Sequence, residues 1–106
     1  MNTQAEYKEI WIGLANIKID RALSSIEDAD YAYVTAVGLA KGKGNFKQRV
    51  AEKLSSLNFK LLKLEQAERL SERIKKFKIE DSILQLAQDI INSDEEVKFS
   101  TFHTYD

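Results

Sequence analysis

The sequence predicts an α+β fold, a two-layer sandwich of about four strands with three helices mainly on one face, in the order β-β-α-β-α-α-β. Three observations carry this expectation. Apolar residues alternate with period two near the N-terminal end and again at the C-terminal end, as strands require; from Asn45 the apolar spacing changes to three and four residues; and a short β-prone segment at Phe59 separates two such helical stretches. At 106 residues, 43% of them hydrophobic and 31% charged, the chain is expected to form one domain, residues 1–106, with its own core.

The first strand is read from YKEIWIGLANI, Tyr7 to Ile17, where Ile10, Ile12 and Leu14 share one face and Tyr7, Trp11 and Gly13 the other. Lys18 to Asp30 is polar and acidic, with Leu23 and Ile26 spaced for about one helical turn, and reads as a loop with a short helix. YAYVTAVGLA, Tyr31 to Ala40, is almost uninterruptedly apolar and β-prone, which suits a central strand buried on both faces. In the first long helix Phe46, Val50, Ala51, Leu54 and Leu57 share a stripe, Asn45 and Gln48 have the spacing of a capping box, and Asn58 is an acceptable residue just past the end.

FKLLKLE, Phe59 to Glu65, is the third strand. Ala67, Leu70, Ile74 and Phe77 then mark a second helix, and Ile83, Leu86, Ala87, Ile90 and Ile91 a third, over Glu80 to Asn92, opened by acids that suit the helix dipole. The alternating VKFSTFHTY, Val97 to Tyr105, is the fourth strand.

Several chemistries are unsupported by the residues present. There is no cysteine, which removes disulfides, thiolate metal sites and cysteine nucleophiles. A single histidine and carboxylates without EF-hand spacing (Glu27, Asp28, Asp30; Asp94, Glu95, Glu96) predict no metal site, and no cofactor motif is present. The start of the chain lacks the basic and apolar regions of a signal peptide, and no apolar run reaches the ~20 residues of a membrane helix, so a cytoplasmic, soluble protein is expected.

GLAKGKGNFKQ, Gly38 to Gln48, holds three of the four glycines and three lysines. It is not a Walker A loop: three residues separate Gly38 from Gly42, and Gly44 follows Lys43 where a hydroxyl is needed for magnesium. The dinucleotide pattern fails too, since Lys47 stands where the third glycine belongs. The expected role is a β-to-α turn using glycine for positive φ, with a candidate anion site at Lys41, Lys43, Lys47 and Arg49.

His103 would need an orienting acceptor to act as a general base, and its neighbours Thr101, Thr104 and Tyr105 supply only hydroxyls. If the last strand is regular, His103 shares a face with Val97, Phe99 and Tyr105. A small dimeric enzyme with a pocket around His103, Tyr105 and Tyr33 is one alternative reading.

The net charge of −1 hides a segregation. Lys41 to Lys78 carries twelve Lys or Arg against four Glu, while the flanks carry four basic and thirteen acidic residues. Lack of a catalytic set, segregated charge and surplus strand aromatics together predict a non-catalytic protein-binding module of the immunity-protein, antitoxin-like or adaptor type. The expected partner is another protein, such as a basic toxin or effector, met by Asp94, Glu95, Glu96, Trp11, Tyr33, Phe102 and Tyr105; a second copy of the chain is a further candidate. The other alternative is an RNA- or phosphate-binding module using the basic 41–53 segment, including Lys53.

Overall fold

The computed structural model describes residues 9–19, 30–93, 96–100 and 102–105. Its elements are β1 (Ile10–Ile19), β2 (Tyr31–Leu39), α1 (Lys43–Ser56), β3 (Phe59–Arg69), α2 (Leu70–Lys76), α3 (Asp81–Ile91), β4 (Val97–Phe99) and β5 (His103–Tyr105). The α+β sandwich and its element order are those expected. The sheet is antiparallel throughout in the order β3-β1-β2-β4, with β5 also paired to β2. Among the described residues no helix is long and apolar enough to cross a membrane. Tyr7 and the short helix expected around Leu23 and Ile26 lie outside the described residues.

Of the three helices, α2 and α3 share one face of the sheet and α1 covers the other. Trp11, Ala15, Ile17, Ala32, Val34 and Ala36 turn to one side and meet Phe46, Val50 and Leu54 of α1. Ile10, Ile12 and Val37 turn to the other and meet Leu70 of α2 and Ile83, Ala87 and Ile90 of α3. The physical reason is strand alternation: β1 and β2 are apolar at consecutive positions near Ile10–Ile12 and Ala36–Val37, so both faces there need a cover.

Helix α1 is positioned by Phe46, Val50 and Leu54, spaced by four and fully buried, each contributing roughly 1.5–3 kcal/mol relative to exposure. It begins at Lys43, earlier than the capping-box reading: Gly42 is the N-cap and Asn45 lies within the first turn, where its Oδ1 accepts from the Lys41 backbone N–H at 3.0 Å. No glycine has positive φ. Gly42 is extended at φ −173°, a conformation open to any residue. The end of the helix follows the sequence reading, with Asn58 at φ 67° just past it and donating to Ser55 O at 3.0 Å.

Strand β3 runs four residues beyond Glu65, so Ala67 belongs to the strand and α2 starts only at Leu70. Its pairing with β1 shifts register twice, between Ile12 and Leu14 and between Asn16 and Ile17, each time with the extra residue on β3. Gln66, at φ 54°, lies in the first of these irregularities.

The C-terminal strand breaks in two. Ser100 interrupts the ladder, accepting the Thr35 N–H on its hydroxyl at 3.1 Å while its own N–H donates to Thr35 O at 2.9 Å. Before the break Phe99 pairs with Ala36; after it His103 pairs with Tyr33, which is one residue out of step. A one-residue slip moves side chains to the other face, so His103 does not share a face with Val97 and Phe99.

Candidate functional site

Among the described residues, helices cover only half of the face opposite α1. The buried cluster beneath α2 and α3 ends at Ile12 and Val37, and the sheet continues past it. Ala32 and Val34 point to α1, so alternation turns Tyr31, Tyr33 and Thr35 to the opposite face. Register then aligns Lys60, Lys18, Tyr31 and the position of Tyr105 in one row across four strands, and Lys63, Asn16, Tyr33 and His103 in the next. Lys18, Lys60, Lys63 and His103 are exposed; Tyr31 and Tyr33 are half-buried.

Beside these rows, where α2 gives way to α3, lies an open groove of about 1420 Å³. Its floor is apolar, with Ile12, Ala67, Ile83 and Leu86, and Thr35, Ser100 and His103 line it where it opens onto the sheet. Its rim carries Arg73, Lys76, Lys78, Glu68, Glu80 and the ring of Phe77. Phe77 was expected on the apolar stripe of α2. It is instead the residue that ends the helix, with extended backbone at φ −139° and ψ 151°, and it is 61% exposed.

One carboxylate organises this rim. Glu68 Oε2 accepts from Arg73 Nε at 2.5 Å, and Oε1 lies 2.6 Å from Lys76 Nζ. Arg73 Nη2 also donates to Gln66 O at 2.6 Å, tying α2 to the irregular turn of β3. The Lys76 hydrogen bond, with Arg73 adding to it, holds the Glu68 carboxyl below its ordinary range against the opposing effect of burial. Lys78 has no ion-pair partner among the described residues, so the rim keeps a cationic excess.

Of the residues expected to form a partner surface, Trp11 and Phe102 lie on the α1 side of the sheet and Tyr33 on the opposite side. Trp11 is buried, stacked on Phe46 with ring centroids 6.2 Å apart and with the Arg69 guanidinium 5.6 Å above it, so it is a core residue. Phe102 packs on Phe59 at 5.3 Å and Phe99 at 6.2 Å, on the α1 side of the sheet, away from Tyr33. Asp94 and Glu95 lie outside the described residues, and Glu96 pairs with Arg49 at 3.6 Å.

Arg49 in turn donates to Leu39 O at 2.5 Å, which ties it to the end of β2 and leaves Lys41, Lys43 and Lys47 alone, exposed around the start of α1. His103 is exposed and makes no side-chain hydrogen bond among the described residues. The rim residues Lys76, Phe77 and Lys78 carry only a faint mark in the sequence, an aromatic between lysines where a helix ends. Among the described residues no three metal-ligating side chains converge. No protein-family model matches the chain, and no curated protein or solved structure is significantly similar to it.

Proposed function

We propose that the protein is a non-catalytic binding module of the adaptor or inhibitor kind, whose groove receives an extended segment of another protein bearing apolar anchors beside acidic residues. The observation that carries this reading is Phe77, 61% exposed on the rim of an aliphatic floor. An exposed aromatic next to an apolar trough gains roughly 1.5–3 kcal/mol when fully covered, and the free charge on Lys78 favours an acidic neighbour. An aliphatic floor suits peptide side chains better than bases or phosphates. The contact surface is then the cationic groove in place of the acidic C-terminal turn, and the preferred partner is acidic in place of basic.

Panning a random library of short peptides against the protein, with the Phe77→Ala/Lys78→Glu variant as counter-selection, tests it. Enrichment of peptides that combine apolar with Asp or Glu residues, bound at least about tenfold more weakly by the variant, is the expected result. A selection with no shared composition, or one indifferent to the variant, would sink the proposal.

A further inference from the structure

We infer that the outer edge of β3 is a self-recognition surface: two copies of the chain pair through it, antiparallel and centred on Leu64, into one continuous sheet. The inference rests on how β3 departs from a regular strand. Against β1 it carries one extra residue between Leu61 and Lys63, which is Leu62, and one between Glu65 and Glu68, marked by the left-handed backbone of Gln66 at φ 54°. Leu62 and Gln66 stand two positions before and two after Leu64, and both are exposed. The irregularities are thus symmetric about Leu64. A regular partner strand falls out of step at either one, because an extra residue shifts every later pair. A second β3 running the other way does not: its Gln66 meets Leu62 and its Leu62 meets Gln66, so both strands shift at the same rungs. Among the described residues the outer side of β3 meets no other strand.

The charges carry the same symmetry with the sign reversed. Lys60, Lys63, Glu65 and Glu68 pair with Lys18, Asn16, Leu14 and Ile12, alternate residues of β1, so all four share the sheet face that Ile12 turns to α2 and α3. Antiparallel pairing about Leu64 sets Lys63 opposite the second copy's Glu65 and Lys60 opposite its Glu68, each pair occurring twice by the two-fold axis. Moving the centre to Lys63 or to Glu65 sets that residue against its own copy, and parallel pairing sets every charge against its like. Within one chain Lys63 already meets Glu65 at 3.2 Å yet stays 68% exposed, so the pairing builds four alternating charges around the axis. Glu68 keeps Arg73 and Lys76, and Lys60 reaches it only as a third cation. The central Lys63 and Glu65 pairs therefore select the register. Residues directly opposite in a ladder share a face, so the joined sheet has both α1 helices on one side and both grooves on the other.

Sedimentation velocity of the whole chain at low salt, over about a hundredfold range of concentration, is the test. The chain should pass from monomer to dimer and no further, because a two-fold edge contact closes on itself. Lys63→Glu and Glu65→Lys each set like charges opposite one another twice, and each should weaken the dimer at least about tenfold. An equimolar mixture of the two variants should recover it, since the reversed position 63 of one chain then faces the reversed position 65 of the other. Recovery on mixing also shows that neither variant lost the dimer by misfolding. A monomer at every concentration, as when another part of the chain takes the edge, would overturn the inference. So would a dimer that both reversals leave intact, a mixture that stays monomeric, or loss of the dimer in Phe77→Ala/Lys78→Glu with the edge variants unaffected, which places the contact in the groove. None of these results decides whether the groove takes a peptide, because the two surfaces are read by different variants.

Discussion

Phe46 Cε1 lies 3.0 Å from the point that a Cβ on Gly38 would occupy. The carbonyl oxygen of Glu96 and Cγ2 of Val97 stand at 3.1 Å from the same point, so the strand is glycine there because β4 and α1 close on it from two sides. Backbone cannot retreat as a flexible side chain can. Gly38→Ala is therefore expected to destabilise the fold by roughly 1–3 kcal/mol, measured as a shift in the urea midpoint at unchanged slope.

Leu54 is fully buried at the far end of the same α1 stripe, and nothing but a cavity would replace it. Leu54→Ala should lower stability by ~2–5 kcal/mol in equilibrium unfolding. A loss under about 0.5 kcal/mol, the size of a surface substitution, would mean that α1 presents another face to the sheet.

Glu68 gives the fold a pH dependence of known sign. Its carboxyl is held below the ordinary value by the Lys76 hydrogen bond and by Arg73, so its contribution is complete above ~4.3 and is lost as pH falls through the lower folded value. Glu68→Gln should cost about 0.5–1.5 kcal/mol at pH 7, kept modest by the 55% exposure of Lys76, and the gap from the native chain should close in acid. Thermal melts of both proteins from neutral pH down to pH 3 check it; a gap constant with pH would show that packing, not charge, is what Gln disturbs.

The two lysine clusters should behave differently toward an acidic peptide selected on the groove. Lys76 and Lys78 line it, whereas Lys41, Lys43 and Lys47 surround the start of α1. Reversal of Lys76 and Lys78 to glutamate should slow association at least about tenfold at low salt, and reversal of the other three should change it by no more than about twofold. Stopped-flow association rates at two ionic strengths distinguish these outcomes.

Where local pattern decides structure, the sequence was readable. The stripe of Phe46, Val50 and Leu54 and the left-handed Asn58 that ends α1 follow from spacing and from the steric tolerance of asparagine. What was hidden depends on partners remote in sequence. The hydroxyl of Ser100 replaces a backbone acceptor for Thr35, 65 positions away, and that exchange sets the face of His103. Ala67 fits a helical stripe as well as a strand, and only the bond from Arg73 to Gln66 O with the irregular pairing to β1 extends β3 through it. The candidate surfaces were illegible for the same reason: Ile12 and Ser100 come to one groove, and Leu62 and Gln66 become extra residues, only through register.

Strand β3 lies at one edge of the sheet, and its outer side meets no other strand among the described residues. Eleven residues of open edge would ordinarily invite another molecule to zip on and seed fibrils. Both irregularities of the β1–β3 pairing place their extra residue on this strand, so the regular stretch between them is only Lys63, Leu64 and Glu65. A stranger's strand would find two or three rungs before the ladder goes out of phase, flanked by charges of both signs. Deleting one residue at Leu62 would straighten that ladder, and its price would appear as turbidity on prolonged storage before it appeared in the melting temperature.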